Sequence, residues 1–224
     1  MFGGNVKARD RLFVKICGIT NEADARVAIE AGADALGFNL VPQSKRYVDI
    51  RTAKDWVAKL PVEMCKVAII ADANWEDACR ISRLPFIDAL QLHGTEPPEF
   101  CRRLADAGIR FAKAVPVSGS RSLASLPNYF TDTLVLDSSA DGKFGGTGKT
   151  FPWKFAPEFV RHHREISVIL AGGLNPANVA EAVNLVRPRG VDVTSGVEAS
   201  AGQKDAKLVR AFVEAARQAS GTVR

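Results

Sequence analysis

The stretch SVILAGGLNPANVAEAVNLVRPRGVDVTSGV, residues 167–197, decides the fold of this chain. It contains two short apolar runs, 167–171 and 191–194, and a glycine turn follows each of them. A helix-like segment separates the two runs, and six similar pairs of an apolar run and a helix-like stretch precede them. This alternation indicates parallel strands that are joined by right-handed helical crossovers.

The number of units favours a closed barrel over an open sheet. An open doubly wound sheet would also fit the alternation of strands and helices. Eight units, however, close a (β/α)8 barrel, and the phosphate site of such a barrel usually follows strands 7 and 8, where the two glycine turns lie. We therefore predict an α/β protein, a single-domain (β/α)8 TIM barrel, with an anionic substrate at the carboxyl ends of its strands.

The predicted barrel domain covers residues 12–224, after a lead-in at 1–11 that we expect to be disordered. The predicted strands are 12–16, 34–40, 64–71, 86–92, 110–115, 133–137, 167–171 and 191–194. The first predicted helix is capped by Asn21 or Thr20 and runs through Ala31. The other predicted helices are 50–60, 75–82, 97–107, 121–126, 153–163, one that begins near Pro176, and 205–219.

Composition is typical of a soluble globular protein, with 46% hydrophobic and 25% charged residues. The first ten residues lack the apolar core of a signal peptide, and no run reaches the ~18 apolar residues of a membrane span. The four cysteines have no paired spacing, which suggests reduced thiols. We expect a cytoplasmic protein with no membrane partner.

The net charge of +5 is scattered among acidic residues and forms no basic stripe with exposed aromatic residues. We therefore expect no nucleic-acid partner. A mild positive field suits a phosphorylated metabolite, although it can equally have no specific meaning. Because the chain has no His-x-x-x-His or Cys-x-x-Cys pair, no metal site is expected.

The end of the first strand offers a candidate base. Lys15 and Cys17 are two residues apart and so point to the same side of the strand, which in a barrel can be the interior. An unperturbed thiol has a pKa of ~8.5, and a nearby ammonium group should lower that pKa. Cys17 could then act as a base near neutral pH. The alternative is a small buried apolar residue, as most free cysteines are.

The end of the sixth strand offers a candidate acid. Asp137 follows three apolar residues, and a low-dielectric environment there would raise the pKa of its carboxyl group and make it a proton donor. A helix-capping or loop-organising aspartate is the alternative. The glycine-rich loop at 144–149 lacks the spacing of a phosphate loop, and we interpret it as a mobile lid, with an ordinary flexible loop as the alternative.

The turns after strands 7 and 8 are candidate phosphate contacts. Gly172 and Gly173 follow the seventh strand, and Ser195 and Gly196 follow the eighth. Glycine lets backbone N–H groups approach a phosphate closely, and a helix N-terminus adds a favourable partial charge. Two such turns in the expected places are much stronger evidence than one.

Four further residues at strand ends are candidate substrate contacts: Lys15, Arg46, Gln91 and His93. Arg46 lies in the loop after strand 2 and could form a bidentate pair with a substrate carboxylate, although a solvated loop charge is the alternative. Gln91 and His93 end strand 4. A single histidine in such a place is more often a structural group with satisfied hydrogen bonds.

Taken together, six motifs resemble the phosphoribosylanthranilate isomerase family, in the family's order and from about Leu12 to the C-terminal helix. They are KICGIT (15–20), QLHG (91–94), LVLDSS (134–139), GGTGKTFPW (145–153), ILAGGLNP (169–176) and DVTSGVE (192–198). The resemblance implies a (β/α)8 barrel of tryptophan biosynthesis. It further implies an Amadori rearrangement of N-(5-phosphoribosyl)anthranilate to 1-(2-carboxyphenylamino)-1-deoxyribulose 5-phosphate, with no cofactor and no metal.

The resemblance also implies roles for single residues. Asp137 matches the general acid that protonates the furanose ring oxygen, and Cys17 matches the general base that removes the proton from ribose C2. Arg46 matches the arginine that contacts the anthranilate carboxylate, and Asp192 matches a carboxylate near the anthranilate amine. The family usually has proline where this chain has Lys45, which bears on the assignment of Arg46.

Two other functions compete with this one. A histidine-pathway barrel isomerase performs the same chemistry on a larger bisphosphate, but that family has aspartate in place of Cys17 and two phosphate sites. A barrel that binds a phosphorylated metabolite without catalysis would need neither Cys17 nor Asp137. The expected partner is a small phosphoribosyl substrate, and the expected assembly is a monomer or a homodimer.

Overall fold

The computed structural model describes residues 11–124, 126, 128–138 and 153–221. Eight parallel strands form its centre: Phe13–Cys17 (β1), Ala35–Asn39 (β2), Cys65–Ile70 (β3), Ala89–Leu92 (β4), Phe111–Val117 (β5), Thr133–Ser138 (β6), Ser167–Leu170 (β7) and Gly190–Val193 (β8). Each strand pairs with the next, and β8 pairs with β1, so the sheet closes on itself. The predicted (β/α)8 barrel is confirmed.

Helices follow the strands on the outside of the barrel. They are Glu22–Glu30 (α1), Ile50–Val57 (α2), Trp75–Ser82 (α3), Pro98–Asp106 (α4), Ser120–Ala124 (α5), Ala156–His162 (α6), Val179–Val186 (α7) and Ala206–Gly221 (α8). Side-chain caps start several of them. The side chain of Asn21 accepts a hydrogen bond from the Asp24 amide at 2.9 Å, so Asn21, and not Thr20, caps α1.

The predicted boundaries differ from the structure mainly where turns precede an element. Strand β4 begins at Ala89 and not at residue 86, because the Ile87 amide donates to the Leu84 carbonyl and closes a turn. Pro176 lies in a turn, and the regular part of α7 begins at Val179. The helix predicted from residue 153 begins as a short 3₁₀ turn at 153–155, and the helix after β5 covers 120–124.

One small feature after β8 was not predicted. A 3₁₀ turn at Ser195–Val197 leads into an antiparallel pair of short strands, Glu198–Ser200 (β9) and Gln203–Lys204 (β10). This hairpin brings the side chains of Glu198 and Lys204 close together near the carboxyl end of the barrel.

The barrel wall separates two apolar clusters. Residues such as Val14 and Ile16 belong to the larger cluster, which includes buried helix residues, whereas Phe13 and Cys17 belong to the inner one. Because alternate residues of a strand point to opposite faces, Lys15 and Cys17 both point inward, as predicted. The register pairs Lys15 directly with Asp192 of β8. The charged side chains of Lys15 and Asp192 thus lie inside the barrel.

Of the predicted lead-in, residues 1–10 lie outside the described residues. Arg11 is described, and its guanidinium group forms an ion pair with the carboxylate of Asp34.

Candidate active site

A cavity of about 950 Å³ opens at the carboxyl ends of the strands. It brings together nine of the eleven predicted site residues. They are Cys17, Arg46, Gln91, His93, Asp137, Gly172, Gly173, Asp192 and Ser195. Lys15 and Gly196 are outside the lining. The cavity is therefore where the strand-end prediction placed the site.

Lys15 lies below the cavity floor and does not face it. Its side chain is fully buried, and its Nζ atom lies 2.6 Å from Oδ2 of Asp192, whose side chain is only 6% exposed. Burial alone would lower the pKa of Lys15, but the charges of Asp192 and Cys17 outweigh it and raise that pKa. Lys15 therefore stays an ammonium ion, and its position differs from the expected substrate contact.

The environment of Cys17 corrects one prediction from the sequence. Burial raises the pKa of the Cys17 thiol, and the charge of Asp192 raises it further. Lys15 and Lys204 act in the opposite direction without reversing the shift. Lys15 acts in the predicted direction, but the net shift of the Cys17 pKa is upward, because burial of the thiol and the charge of Asp192 outweigh the ammonium group.

Asp137 is the end of a chain of polar contacts. Its Oδ2 atom lies 3.2 Å from Nε2 of His93, and Nδ1 of His93 lies 3.3 Å from Nε2 of the Gln91 side-chain amide. An amide nitrogen is only a donor, so in this arrangement Nδ1 accepts and Nε2–H donates to Asp137. His93 therefore has the hydrogen bonds of a structural group and also forms part of the cavity wall.

Three buried acceptor atoms at the cavity have no hydrogen-bond partner among the described residues. They are Oε1 of Gln91, Oδ1 of Asp137 and Oδ1 of Asp192. A buried acceptor without a partner is costly, and such atoms cluster where a ligand supplies the donor. The arrangement suits a ligand with several hydroxyl or amine hydrogens.

Arg46 is held by a residue that sequence reasoning did not select. Nε and Nη2 of Arg46 donate to the two carboxylate oxygens of Glu198 at 2.8 and 2.6 Å. Lys204 contributes a third contact, since its Nζ atom lies 3.0 Å from Oε1 of Glu198. The amide of Arg46 also donates to the Ser44 hydroxyl at 3.1 Å, so the turn is held although Lys45 replaces the usual proline.

The charges around Glu198 sum to a local positive excess. Burial alone would raise the pKa of Glu198, but the hydrogen bond from Arg46 and the charge of Lys204 outweigh it and lower that pKa. Glu198 is therefore ionised, and two cations surround one anion. The signal that could have revealed Glu198 is its place in the motif DVTSGVE, but its partner Arg46 is 152 residues away.

The turns after β7 and β8, where phosphate contacts are predicted, have a backbone geometry that requires glycine. Gly172 and Gly173 have φ angles of +77° and +70°, in the left-handed region that favours glycine. The side chain of Asn178 donates to the Gly173 carbonyl at 3.0 Å and so fixes the first turn. At Gly196 a Cβ atom would lie 1.9 Å from the Leu174 carbonyl oxygen, so the two turns are in close contact. The missing side chain at Gly196 thus allows the two turns to pack against each other.

The glycine-rich loop at 144–149, which we interpret as a lid, lies outside the described residues. Within the described part of the chain, no group of three or more His, Cys, Asp or Glu side chains could hold a metal ion. No helix in that part is long and apolar enough to cross a membrane.

Comparisons with known proteins agree with this geometry. A family model described as N-(5'-phosphoribosyl)anthranilate (PRA) isomerase matches residues 14–215. The chain is 41% identical to the N-(5'-phosphoribosyl)anthranilate isomerase of Desulfitobacterium hafniense, over 92% of this chain and 98% of that relative. The crystal structure of phosphoribosyl anthranilate isomerase from Thermotoga maritima superposes with a TM-score of 0.84 and 38% identity, over 92% and 99% of the two chains.

A second crystal structure of a phosphoribosyl anthranilate isomerase holds reduced 1-(o-carboxyphenylamino)-1-deoxyribulose 5-phosphate. It superposes with a TM-score of 0.80 and 36% identity, over 92% of this chain and 99% of that chain.

Proposed function

The chain belongs to the N-(5'-phosphoribosyl)anthranilate isomerase family, and on that premise we propose that Cys17 is the general base and Asp137 the general acid of its reaction. The chain is an enzyme of tryptophan biosynthesis. It converts N-(5-phosphoribosyl)anthranilate to 1-(2-carboxyphenylamino)-1-deoxyribulose 5-phosphate. One observation carries the residue assignment: the Cys17 thiol and the Asp137 carboxyl group line the same cavity, beside the two glycine turns.

Asp137 acts first. Its protonated carboxyl group gives a proton to the furanose ring oxygen, the bond between C1 and that oxygen breaks, and the lone pair of the anthranilate nitrogen forms the C1=N bond of a Schiff base. The contact between Asp137 and His93 orients the carboxyl group and leaves Oδ1 without a partner among the described residues. Oδ1 is the oxygen that faces the substrate in this proposal.

Cys17 acts second. Its thiolate removes the proton from C2, the electrons of that C–H bond form the C1=C2 bond, and the positive charge on nitrogen is neutralised. The enolamine then tautomerises to the ketose. Because the Schiff base acidifies the C2 proton, a moderate base suffices, and each group contributes roughly 10²–10⁴-fold to the rate. The raised pKa of the Cys17 thiol means that its thiolate is the minor form at neutral pH.

Two further groups orient the anthranilate end of the substrate. Glu198 occupies Nε–H and one hydrogen of Nη2 of Arg46, which leaves Nη1 and the second Nη2 hydrogen for the substrate carboxylate. Oδ1 of Asp192 is a buried acceptor at the cavity without a partner among the described residues, and it suits the anthranilate N–H. The ribose phosphate lies at Gly172, Gly173 and Ser195, and Gly196 supports that turn.

The experiment that tests the proposal removes each group in turn. We expect Cys17→Ser and Asp137→Asn to lower turnover by roughly 10²–10⁴-fold, with affinity for the reduced product analogue changed only a few-fold. Cys65→Ser is the matched control for the thiol, because Cys65 is buried in the same inner cluster but does not line the cavity. Full activity in either variant would refute its role. Rescue of a tryptophan auxotroph that lacks the isomerase tests the activity itself.

The proposal includes a location in the cytoplasm. Its support is that all four cysteines are free thiols, as expected of a protein that works in a reducing compartment. Whether the enzyme is a monomer or a homodimer stays a prediction.

A further inference from the structure

A buried ion pair lies behind the loop that follows β4. Nζ of Lys113, on β5, is 3.0 Å from Oε2 of Glu96, and both side chains are only 3% exposed. Neither residue belongs to the described lining of the cavity. The family motifs quoted above stop short of both residues, and the proposed mechanism uses neither of them.

The pair binds backbone groups of Gly94 and of two neighbouring segments. Glu96 accepts hydrogen bonds from the Gly94 amide through both oxygens at 3.1 Å, and from the Asp72 amide through Oε1 at 2.9 Å. Lys113 donates to the carbonyls of Gly94 and Ala114 at 2.8 and 2.9 Å. Both the N–H and the C=O of Gly94 are therefore bound by this one pair.

The next contact leads to the acid. Gly94 directly follows His93, whose amide donates to the Ile70 carbonyl at 2.8 Å and whose ring contacts Asp137 at 3.2 Å. The peptide groups on both sides of His93 are therefore held, by the Ile70 carbonyl before it and by Glu96 after it. A buried ion pair adds little net stability, because the desolvation of two charges offsets their attraction. The geometry therefore favours an effect of the Glu96–Lys113 pair on the position of His93 over an effect on stability.

We propose that Glu96 and Lys113 are positioning residues that hold His93 against Asp137 by binding both backbone groups of Gly94. This inference rests on the proposed function, since it requires Asp137 to be the acid. Both residues would then affect the reaction without lining the cavity.

The test compares Glu96→Gln and Lys113→Met with a matched control, Lys66→Met. Lys66 is also almost fully buried, and its Nζ atom binds two backbone carbonyls and lies 3.7 Å from a carboxylate, but these partners, Pro61, Met64 and Asp88, precede β3 and β4 and so lie at the opposite end of the barrel from the loop after β4. All three variants should lose thermal stability. Only Glu96→Gln and Lys113→Met should also lower kcat, by roughly 10²-fold, the scale of a misplaced catalytic group. Their KM should stay within roughly threefold of that of the unchanged chain.

A double-mutant cycle separates a positioning role from a structural one. In an Asp137→Asn background, Glu96→Gln should cost far less activity than it does alone, since the two residues act through one contact.

Three outcomes overturn the inference. Wild-type kcat in Glu96→Gln, with Asp137→Asn inactive, would reject the positioning role and leave the proposed function intact. Equal losses of kcat in Glu96→Gln and Lys66→Met would assign the pair to stability alone. Full turnover in Asp137→Asn would reject the proposed acid and the inference with it. If Lys113→Met does not fold, the isosteric Glu96→Gln variant decides the question.

Discussion

The thiol of Cys17 has charges of both signs close to it, and its protonation depends on their balance. Burial and Asp192 favour the neutral thiol, whereas Lys15 and Lys204 favour the thiolate. Because Lys15 bonds directly to Asp192, the two groups largely cancel at the thiol. Cys17, the proposed base, is thus kept mostly protonated in the free enzyme.

This balance predicts the pH dependence of alkylation at Cys17. In the free enzyme, the rate of reaction with iodoacetamide should rise with pH to a midpoint above the ordinary thiol value of about 8.5, because the folded environment raises the pKa of the thiol. In Asp192→Asn the midpoint should fall, since a negative charge is removed and the Lys15 ammonium is released. Mass spectrometry of the labelled peptide measures the rate, with Cys17→Ser as the background. A midpoint below the ordinary value, or no change in Asp192→Asn, contradicts the assignment.

Glu198 predicts a separate effect on substrate binding. In Glu198→Gln the guanidinium of Arg46 loses its bidentate carboxylate, and two cations are left without an anion between them. KM should rise by roughly tenfold, the scale of one charge-assisted hydrogen bond, with a smaller change in kcat. Steady-state kinetics measures both constants. Glu76→Gln, exposed on α3, serves as the control, and an unchanged KM in Glu198→Gln would show that Arg46 is oriented without it.

At the scale of elements, two asparagines at helix starts have different tasks. Asn74 caps α3, since its side chain accepts from the Asp77 amide at 2.8 Å. Asn178 precedes α7 without capping it, and its side chain binds the Asn175 amide and the Gly173 carbonyl at 2.8 and 3.0 Å. The first residue stabilises a helix, and the second shapes the turn that we propose binds phosphate.

The two asparagines therefore predict two different losses on substitution by alanine. Asn74→Ala should cost about 1 kcal/mol in free energy of unfolding and leave KM unchanged. Asn178→Ala should raise KM and weaken inhibition by inorganic phosphate, because the turn at Gly173 is released. Denaturant melts and inhibition constants measured side by side separate the two effects. Similar phosphate inhibition in both variants would contradict the role of Asn178.

At the scale of the whole molecule, the first and last elements close the barrel. Strand β8 pairs with β1, and Arg217 of α8 binds the Leu12 carbonyl, the Gly32 carbonyl at 2.9 Å and Asp34 at 2.7 Å. These contacts precede β1 and β2 and so lie at the amino end of the barrel. Because the closure and the cavity lie at opposite ends of the barrel, each can change without the other.

Arg217 should consequently affect stability and not catalysis. Arg217→Ala removes the hydrogen bonds of the guanidinium group to Leu12, Gly32 and Asp34. We expect the free energy of unfolding to fall by about 1.5–3 kcal/mol. Turnover at a temperature where the variant is folded should match that of the unchanged chain. Urea unfolding and kcat measured on the same sample check this. A large loss of kcat in fully folded Arg217→Ala would contradict the separation of the two ends.

Local patterns in the chain were sufficient for the barrel, the strand ends and the two glycine turns. Apolar runs, helix-like stretches and turn residues act over a few residues, so they are readable without contacts, and Cys17, Asp137 and Gly173 follow from them together with the family resemblance. Only the folded molecule showed that Lys15 is paired with Asp192, that Glu198 holds Arg46, and that Glu96 and Lys113 bind Gly94. The partners of the three ion pairs are 17 to 177 positions apart in the sequence, and their burial is created by several elements at once. Electrostatic partners and pKa shifts are therefore decided by tertiary packing, whereas the backbone path is decided locally.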